Sequence, residues 1–365
     1  MKILFVLEYY YPNVGGAEKL FKSLAEELAA RHFEVEILTT RFRNDLPARE
    51  VLNGVSIRRE NCFNRFFFTF LAIPAALRRA AHFDLVITTS YTAAFPAWLA
   101  AKMRRKKSLI IFHEVWDRLW FRLPYLSVWQ RYGFYFFEKF ILKLPFDTFV
   151  AVSEFTRRSL ESAGIAPAKI QTIHNGLDYK ELPNQKPEKP ARFTATYLGR
   201  LGVSKGLDLL LPAAAAFVKT HPDSLFKIIL PLRPAAFLRR IKKEMTELGL
   251  GDKNIKLLHE LSRENLYREM LQSTCILTPS YSEGFGFVAA EAVGLGLPLI
   301  SSQQGALPEV VGGHFIAMEN QSPEALRAAL EKAYAGEWSY LPPKYFPLEE
   351  TVERYVEMID RSFSK

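Results

Sequence analysis

Glu283 and Glu291 bracket seven small or apolar residues in SYSEGFGFVAAEA, residues 280–292. Gly284, Phe285 and Gly286 read as a turn, and Phe287 opens a buried helical stretch. One acid therefore lies in a loop and the other within a helix almost free of other charge. A carboxylate near a helix start ordinarily caps the first turn or balances the helix dipole, and that is the plain reading of either acid alone. YLGRLGVSKGLDLLL, residues 197–211, adds the opposite charge. A strand ends at Leu198, Gly199 frees a turn, and a helix starts near Gly206, with Arg200 and Lys205 projecting between them. A glycine-containing loop with two cations at a helix amino end suits a phosphate or diphosphate. It is not a Walker loop, because Gly-x-x-x-x-Gly-Lys-Ser/Thr is absent.

Two further places can do chemistry. In YYYPNVGGAEKL, residues 9–20, a strand runs through Pro12 into Gly15 and Gly16 and then a helix. Adjacent glycines there let backbone amides approach a ligand, or simply allow a tight turn. In LIIFHEVWD, His113 closes a buried strand. A lone histidine is commonly structural, but strand ends in open α/β sheets are where ligands bind. A dinucleotide site is disfavoured: Gly-x-Gly-x-x-Gly does not occur, and the second strand ends in LTTRF with no acid for a ribose.

Taken together, the groups describe one ligand. Arg200, Lys205 and the amides of Phe285, Gly286 and Phe287 can meet phosphate oxygens. More acids nearby would repel a diphosphate unless they faced another part of the molecule. Sugar and ribose hydroxyls are such a part, since a carboxylate accepts hydrogen bonds from neighbouring hydroxyls. Cations for phosphate and acids for hydroxyls outline a nucleotide sugar.

The elements that must position these residues alternate along the chain. Apolar strand-like runs at Ile3–Leu7, Val35–Thr39, Val55–Arg58, Leu85–Thr89, Leu109–His113, Phe149–Ser153 and Gln171–His174 are separated by helical patterns. After the proline-rich ELPNQKPEKPA, residues 181–191, a second series follows at Phe193–Leu198, Phe226–Leu230, Ile255–Leu258, Cys275–Thr278, Pro298–Ser301 and His314–Ala317. Continuous apolar strands between helices predict parallel sheets covered on both faces. With 365 residues, two α/β domains are expected: residues 1–182, a linker at 183–191, and residues 192–345. The segment 349–363 spaces Val352, Tyr355, Val356 and Ile359 as an amphipathic helix that must cover something.

Composition narrows the setting. Cys62 and Cys275 match no metal-ligand spacing and read as buried small hydrophobes in a reducing, cytoplasmic environment. MKILFVLEYYYP is too short in apolar residues for a signal core and reads as a first strand. The formal charge is +9, and all of the excess lies in residues 1–180, with 26 Lys and Arg against 17 Asp and Glu. AKMRRKKS carries five cations at residues 102–107, and Trp116–Phe137 holds ten aromatics in 22 residues. Aromatic and basic residues together suit the interface of an anionic membrane; a buried aromatic helix pair beside a solvated basic turn is the alternative. No nucleic-acid module is evident.

GRLGVSKG, EGFGFVAAEAVGLGLPLI, GGAE and VSE…HNGLD resemble glycosyltransferase family 4, the large retaining family of the GT-B fold, over nearly the whole chain. The resemblance implies two Rossmann-like, doubly wound domains facing a central cleft, with the last helix crossing back to the first domain. It further implies that Arg200 and Lys205 bind the donor diphosphate, Glu283 the sugar hydroxyls beside the anomeric carbon, and Glu291 the ribose. Gly16 would lie near the diphosphate, and His113 would face the donor sugar. Transfer would be retaining and metal-independent, since no Asp-x-Asp stands ready to recruit an ion. The donor would be a UDP- or GDP-linked hexose and the acceptor a glycan or lipid-linked molecule of envelope or polysaccharide synthesis, at the inner face of the cytoplasmic membrane. Two departures concern the base: LPLRPAAF, residues 230–237, replaces a glycine-rich turn, and His259 stands where glycine is common. A sugar-nucleotide epimerase, a glycan synthase of the same fold, or a silent binding protein are the competing functions.

Overall fold

The computed structural model describes residues 1–13, 15–62 and 65–363. It divides into two compact units. One holds Met1–Trp120, Trp129–Gly176 and the chain from Pro347 onward; the other holds Phe121–Val128 and Leu177–Phe346.

In the first unit, strands β1 (Lys2–Val6), β2 (Glu34–Thr40), β3 (Arg49–Leu52), β4 (Val55–Glu60), β5 (Leu85–Thr89), β6 (Lys107–Phe112), β7 (Thr148–Ala151) and β8 (Ile170–Thr172) form one sheet. Their order is β3-β4-β2-β1-β5-β6-β7-β8. All neighbours are parallel except β3 and β4. Strand β1 shows why its run is apolar throughout. Ile3 and Phe5 face helix Gly16–Ala30, whereas Leu4 and Val6 face helices Ile73–Ala80 and Ala94–Arg104. Both faces are buried, as a helix-covered parallel sheet requires.

The last helix, Leu348–Phe363, belongs to this unit. Its Val352, Tyr355, Val356 and Ile359 enter the same core as Ile3, Phe5, Leu20 and Leu24, and Thr351 Oγ1 donates to the His174 carbonyl at 3.0 Å. That is the return to the first domain which the resemblance implied.

The second unit contains β9 (Thr194–Leu198), β10 (Leu225–Ile229), β11 (Ile255–Leu258), β12 (Cys275–Thr278), β13 (Leu299–Ser301), β14 (Gly313–Ala317) and β15 (Ser339–Leu341). The order is β11-β10-β9-β12-β13-β14-β15, parallel until β15 closes the edge antiparallel. Helices Leu207–Thr220, Ala235–Glu247 and Pro323–Ala335 cover one face. Helices Arg263–Leu271 and Phe287–Gly294 cover the other.

Two strands are additions to the sequence reading. β3 pairs with β4 through Asn53 and Gly54, both left-handed at φ +49° and +81°, a two-residue turn with residues suited to it. β15 is only three exposed residues long, too short for any periodicity to show. Among the described residues no helix is long and apolar enough to cross a membrane.

Candidate active site

Strand order locates the site in the second unit. The chain winds outward from β9 to β10 and β11, then returns to the other side of β9 as β12. The boundary between β9 and β12 is therefore the topological switch point, where loops leaving the carboxyl ends diverge and leave a crevice. Those two loops carry Gly199–Gly206 and Pro279–Gly286, 80 residues apart in the chain and adjacent in space.

The loops are joined at their charged residues. Lys205 Nζ lies 2.7 Å from Glu283 Oε1, and Ser280 Oγ donates to the same oxygen at 2.8 Å. Both charged side chains are more than four-fifths buried, so their attraction is less screened than on an open surface. Two glycines make the approach possible. Gly206 has φ +72° and sits where any Cβ would collide with the Pro279 carbonyl oxygen. Gly305, at φ +67°, lies equally close to the Glu283 backbone, and Ala306 N–H donates to the Glu283 carbonyl at 2.7 Å. The Glu283 loop is thus clamped from both sides. Tyr281 N–H donates to the Ser204 carbonyl at 2.7 Å, tying it again to the Lys205 loop.

The groups expected to meet phosphate lie on the same two loops. Arg200 is exposed on the first loop. On the second, Gly286 at φ +96° caps helix Phe287–Gly294, whose opening amides have no partner within the helix. Phe285 contributes only its backbone, because its ring is buried against Phe287 and Phe346 at 5.1 and 5.2 Å. Glu291, one turn into that helix, accepts from Tyr267 Oη at 3.4 Å. Burial first, and then the Glu291 carboxylate, push the Tyr267 phenol up to about 12. Tyr267 therefore stays a donor and orients Glu291.

Behind the crevice, Tyr281 Oη donates to Asp208 Oδ2 at 2.7 Å. Burial raises the Asp208 carboxyl above its ordinary value, opposed by the Tyr281 bond. Tyr125 lies on the segment that joins this unit from between the first unit's elements. Its hydroxyl donates to Glu244 at 3.2 Å, Arg240 lies over its ring at 4.5 Å, and Phe237 meets it edge-on at 4.9 Å. Of the segment 230–237 that departs from the family pattern, Phe237 packs on Tyr125 and residues 232–236 are exposed. His259 Nδ1 is 2.8 Å from the Leu230 carbonyl; since a carbonyl only accepts, Nδ1 is the donor.

Gly15, Gly16 and His113 sit in the first unit, at the carboxyl edge of its own sheet. Gly15 is extended and precedes helix Gly16–Ala30. The Glu18 side chain occupies the space beside it and accepts from Asn13 Nδ2 at 2.9 Å. His113 follows β6, half-buried, with its ring edge-to-face on Phe21 at 6.1 Å. The expected site residues thus form two groups: Gly199, Arg200, Lys205, Glu283, Phe285, Gly286, Phe287 and Glu291 in one unit, and Gly15, Gly16 and His113 in the other. Ser280, Tyr281, Asp208, Tyr267 and Gly305 carried no sequence signal, because each reaches the site across a turn or a sheet.

Of the ten aromatics in 116–137, Trp120 is buried and stacks on Phe134 at 4.9 Å and against Trp116 at 4.5 Å. Trp129, Tyr132 and Phe136 face outward.

Comparison with known proteins agrees with this geometry. The model of Glycosyltransferase Family 4 matches residues 14–181, and that of Glycosyl transferases group 1 matches residues 178–345. Among curated relatives, a GDP-mannose:cellobiosyl-diphosphopolyprenol alpha-mannosyltransferase of Xanthomonas oryzae pv. oryzae is 27% identical, covering 82% of this chain and 78% of its own. A D-inositol 3-phosphate glycosyltransferase of Streptomyces scabiei is 23% identical, covering 82% of this chain and 73% of its own. Among solved structures, sucrose-phosphate synthase from Thermosynechococcus elongatus superposes with a TM-score of 0.83 at 19% identity over the whole of both chains. Anabaena HepE in complex with UDP and glucose gives 0.72 at 16% identity over 99% of both. The fold is the two-domain GT-B type. The chain belongs to the group 1 glycosyltransferases of the family 4 type, and it is a transferase enzyme.

Proposed function

We propose that the chain is a retaining, metal-independent hexosyltransferase that takes a UDP- or GDP-linked sugar as donor. The observation that carries this reading is the Lys205–Glu283 pair at 2.7 Å, set at the switch point of the second sheet. An incoming diphosphate is a better partner for Lys205 than a single carboxylate, because it offers several anionic oxygens. Glu283, released, would accept from the donor sugar's hydroxyls while Ser280 holds its orientation. Glu291, oriented by Tyr267, would take the ribose.

The remaining chemistry follows from charge. As the anomeric bond breaks, negative charge builds on the departing diphosphate. On this reading Lys205, Arg200 and the opening amides of helix Phe287–Gly294 would meet that charge, and preorganised donors of this kind supply the larger part of such stabilisation. Glu283 and Glu291 bind hydroxyls and do not act as a glycosidase acid and nucleophile.

A glycan or lipid-linked acceptor is supported by the activities of the relatives, one of which acts on a cellobiosyl-diphosphopolyprenol. Envelope or polysaccharide synthesis at the inner face of the cytoplasmic membrane belongs to the same reading. Thermal shift against UDP-, GDP- and ADP-sugars, with and without EDTA, tests it. A ligand that binds the folded state raises the melting temperature. Stabilisation by one nucleotide class, unchanged by EDTA, is expected; stabilisation by none, or only with added divalent ion, refutes the donor reading or its metal independence respectively.

A further inference from the structure

The first unit carries an aromatic surface that its own core does not use. In helix Val128–Leu142, Glu138, Ile141 and Leu142 are buried, whereas Trp129 is 86% exposed and Phe136 62%. Residues 129, 132, 136 and 140 recur at helical spacing, so the outward stripe is aromatic where a water-facing helix is ordinarily charged. Helix Arg65–Leu71 repeats the pattern: Phe68 is buried, while Phe66 and Phe70 are exposed. The two helices adjoin, because the rings of Phe66 and Phe134 stack at 6.4 Å. Neighbouring helices thus each expose large aromatic rings, more than the scattered single residues that need no explanation.

Charge says what covers it. Residues 61–145, which supply this face and the helices beneath it, hold thirteen Lys and Arg against four Asp and Glu. Lys102, Arg104, Arg105 and Lys107 are all exposed at the end of helix Ala94–Arg104, against which helix Arg65–Leu71 packs. Exposed aromatic rings flanked by an excess of cations match an anionic bilayer, whose interface accepts the rings and whose headgroups accept the cations. A protein partner would have to be both apolar and strongly acidic.

Position links the face to the reaction. Arg65, the first residue of its helix, lies 3.0 Å from Glu8 Oε1. Glu8 follows β1, and Thr92 Oγ1, beyond β5, donates to it. β1 and β5 flank the switch point of the first sheet, so the aromatic face borders the edge at which this unit would meet a ligand.

We propose that helices Arg65–Leu71 and Val128–Leu142 form a bilayer-docking surface through which the first unit lies on anionic lipid. There it would receive an acceptor whose lipid tail stays in the membrane. The purpose of the surface rests on the lipid-linked-acceptor reading; its existence does not.

Vesicles of phosphatidylcholine alone and with 30% phosphatidylglycerol test the surface by flotation, together with tryptophan emission. The wild type is expected to float with the anionic vesicles at low salt, and Trp129 emission to shift to the blue. Trp129→Phe should still float but lose most of the shift. Phe70→Ser with Phe136→Ser should weaken flotation at least tenfold while keeping the melting temperature and the response to nucleotide sugars. Flotation without a Trp129-dependent shift overturns the assignment of the surface. Absence of flotation at low salt overturns docking, and dimerisation lost in the double-serine variant would make the occupant a second copy instead. Because nucleotide-sugar binding is measured separately, failure of the surface and failure of the glycosyltransferase reading give different results.

Discussion

Lys205 Nζ and Glu283 Oε1 lie 2.7 Å apart, although 77 residues and three strands separate them in the chain. The doubly wound sheet makes them neighbours by placing β9 beside β12, and Gly206 and Gly305 remove the side chains that would keep the loops apart. Each charge balances the other. On the proposed reading a donor would supply both with better partners, phosphate for Lys205 and hydroxyls for Glu283, and substitutions should then separate the two roles.

Glu283→Gln keeps the shape of the side chain and removes its charge. Turnover of the donor should fall by about 100-fold, the scale expected of a group that acts on the reacting sugar. Affinity for the bare nucleoside diphosphate should stay within a few-fold of wild type. Ser280→Ala, which removes only the 2.8 Å bond to Glu283, should lower kcat about tenfold with the same diphosphate affinity. Parallel loss of diphosphate affinity in both variants would argue against the division of roles.

Gly206→Ala should be severely destabilising. Its left-handed backbone and the Pro279 carbonyl at the Cβ position together predict a loss of about 2 kcal/mol or more. Chemical denaturation of the variant measures it, and a loss under about 0.5 kcal/mol would mean that the two loops can part without strain.

Arg59 holds the turn after β1 in place through the Tyr11 carbonyl. Its side chain is fully buried, pairs with Glu50 at 2.5 Å, and donates to the Tyr11 and Pro47 carbonyls at 2.9 and 3.1 Å. Arg59→Met leaves the Tyr11 and Pro47 carbonyls without this donor, while Glu50, one-third exposed, can turn to water; unsatisfied buried acceptors of this kind cost about 1–3 kcal/mol. Unfolding midpoints of the two proteins check this.

Asp208 gives a pH dependence with a definite sign. Its folded carboxyl is raised above the ordinary 3.8, chiefly by burial, so the native chain holds the proton longer than the unfolded one. Its contribution to stability is fullest at acid pH and declines as pH rises from 3.8 through the folded value. Asp208→Asn removes this titration while keeping an acceptor for Tyr281. Relative to wild type, the variant should therefore gain stability between pH 4 and pH 7. Denaturation at both pH values measures the gap, and a gap that shrinks with pH reverses the sign.

Much of this is legible in sequence because the physics is local. Strands buried on both faces are continuous apolar runs, and β5, β11 and β12 lie where those runs predict. The breaks at Gly206 and Phe287 are visible because glycine marks positions of positive φ, at Gly206 itself and at Gly286 before Phe287; Gly199 ends β9 without a left-handed backbone. Asn53-Gly54 is equally local, yet the hairpin stays hidden: the run after it reads as one strand, and the partner Arg49–Leu52 is half charged. What cannot be read is what the sheet order assembles. Nothing near Tyr281 points to Asp208, nothing near Glu291 to Tyr267, and nothing near residue 66 to Phe134. The aromatic segment 116–137 declares its composition, but only the fold divides it into Trp120, turned inward, and Trp129, turned out.

The most direct test is calorimetric titration of UDP- and GDP-sugars into the wild type, Arg200→Ala and Lys205→Ala. One nucleotide class should bind the wild type, and each variant should lose at least tenfold in affinity, about 1.4 kcal/mol, with melting temperatures otherwise kept. Wild-type affinity in both variants would place the diphosphate elsewhere and contradict the account.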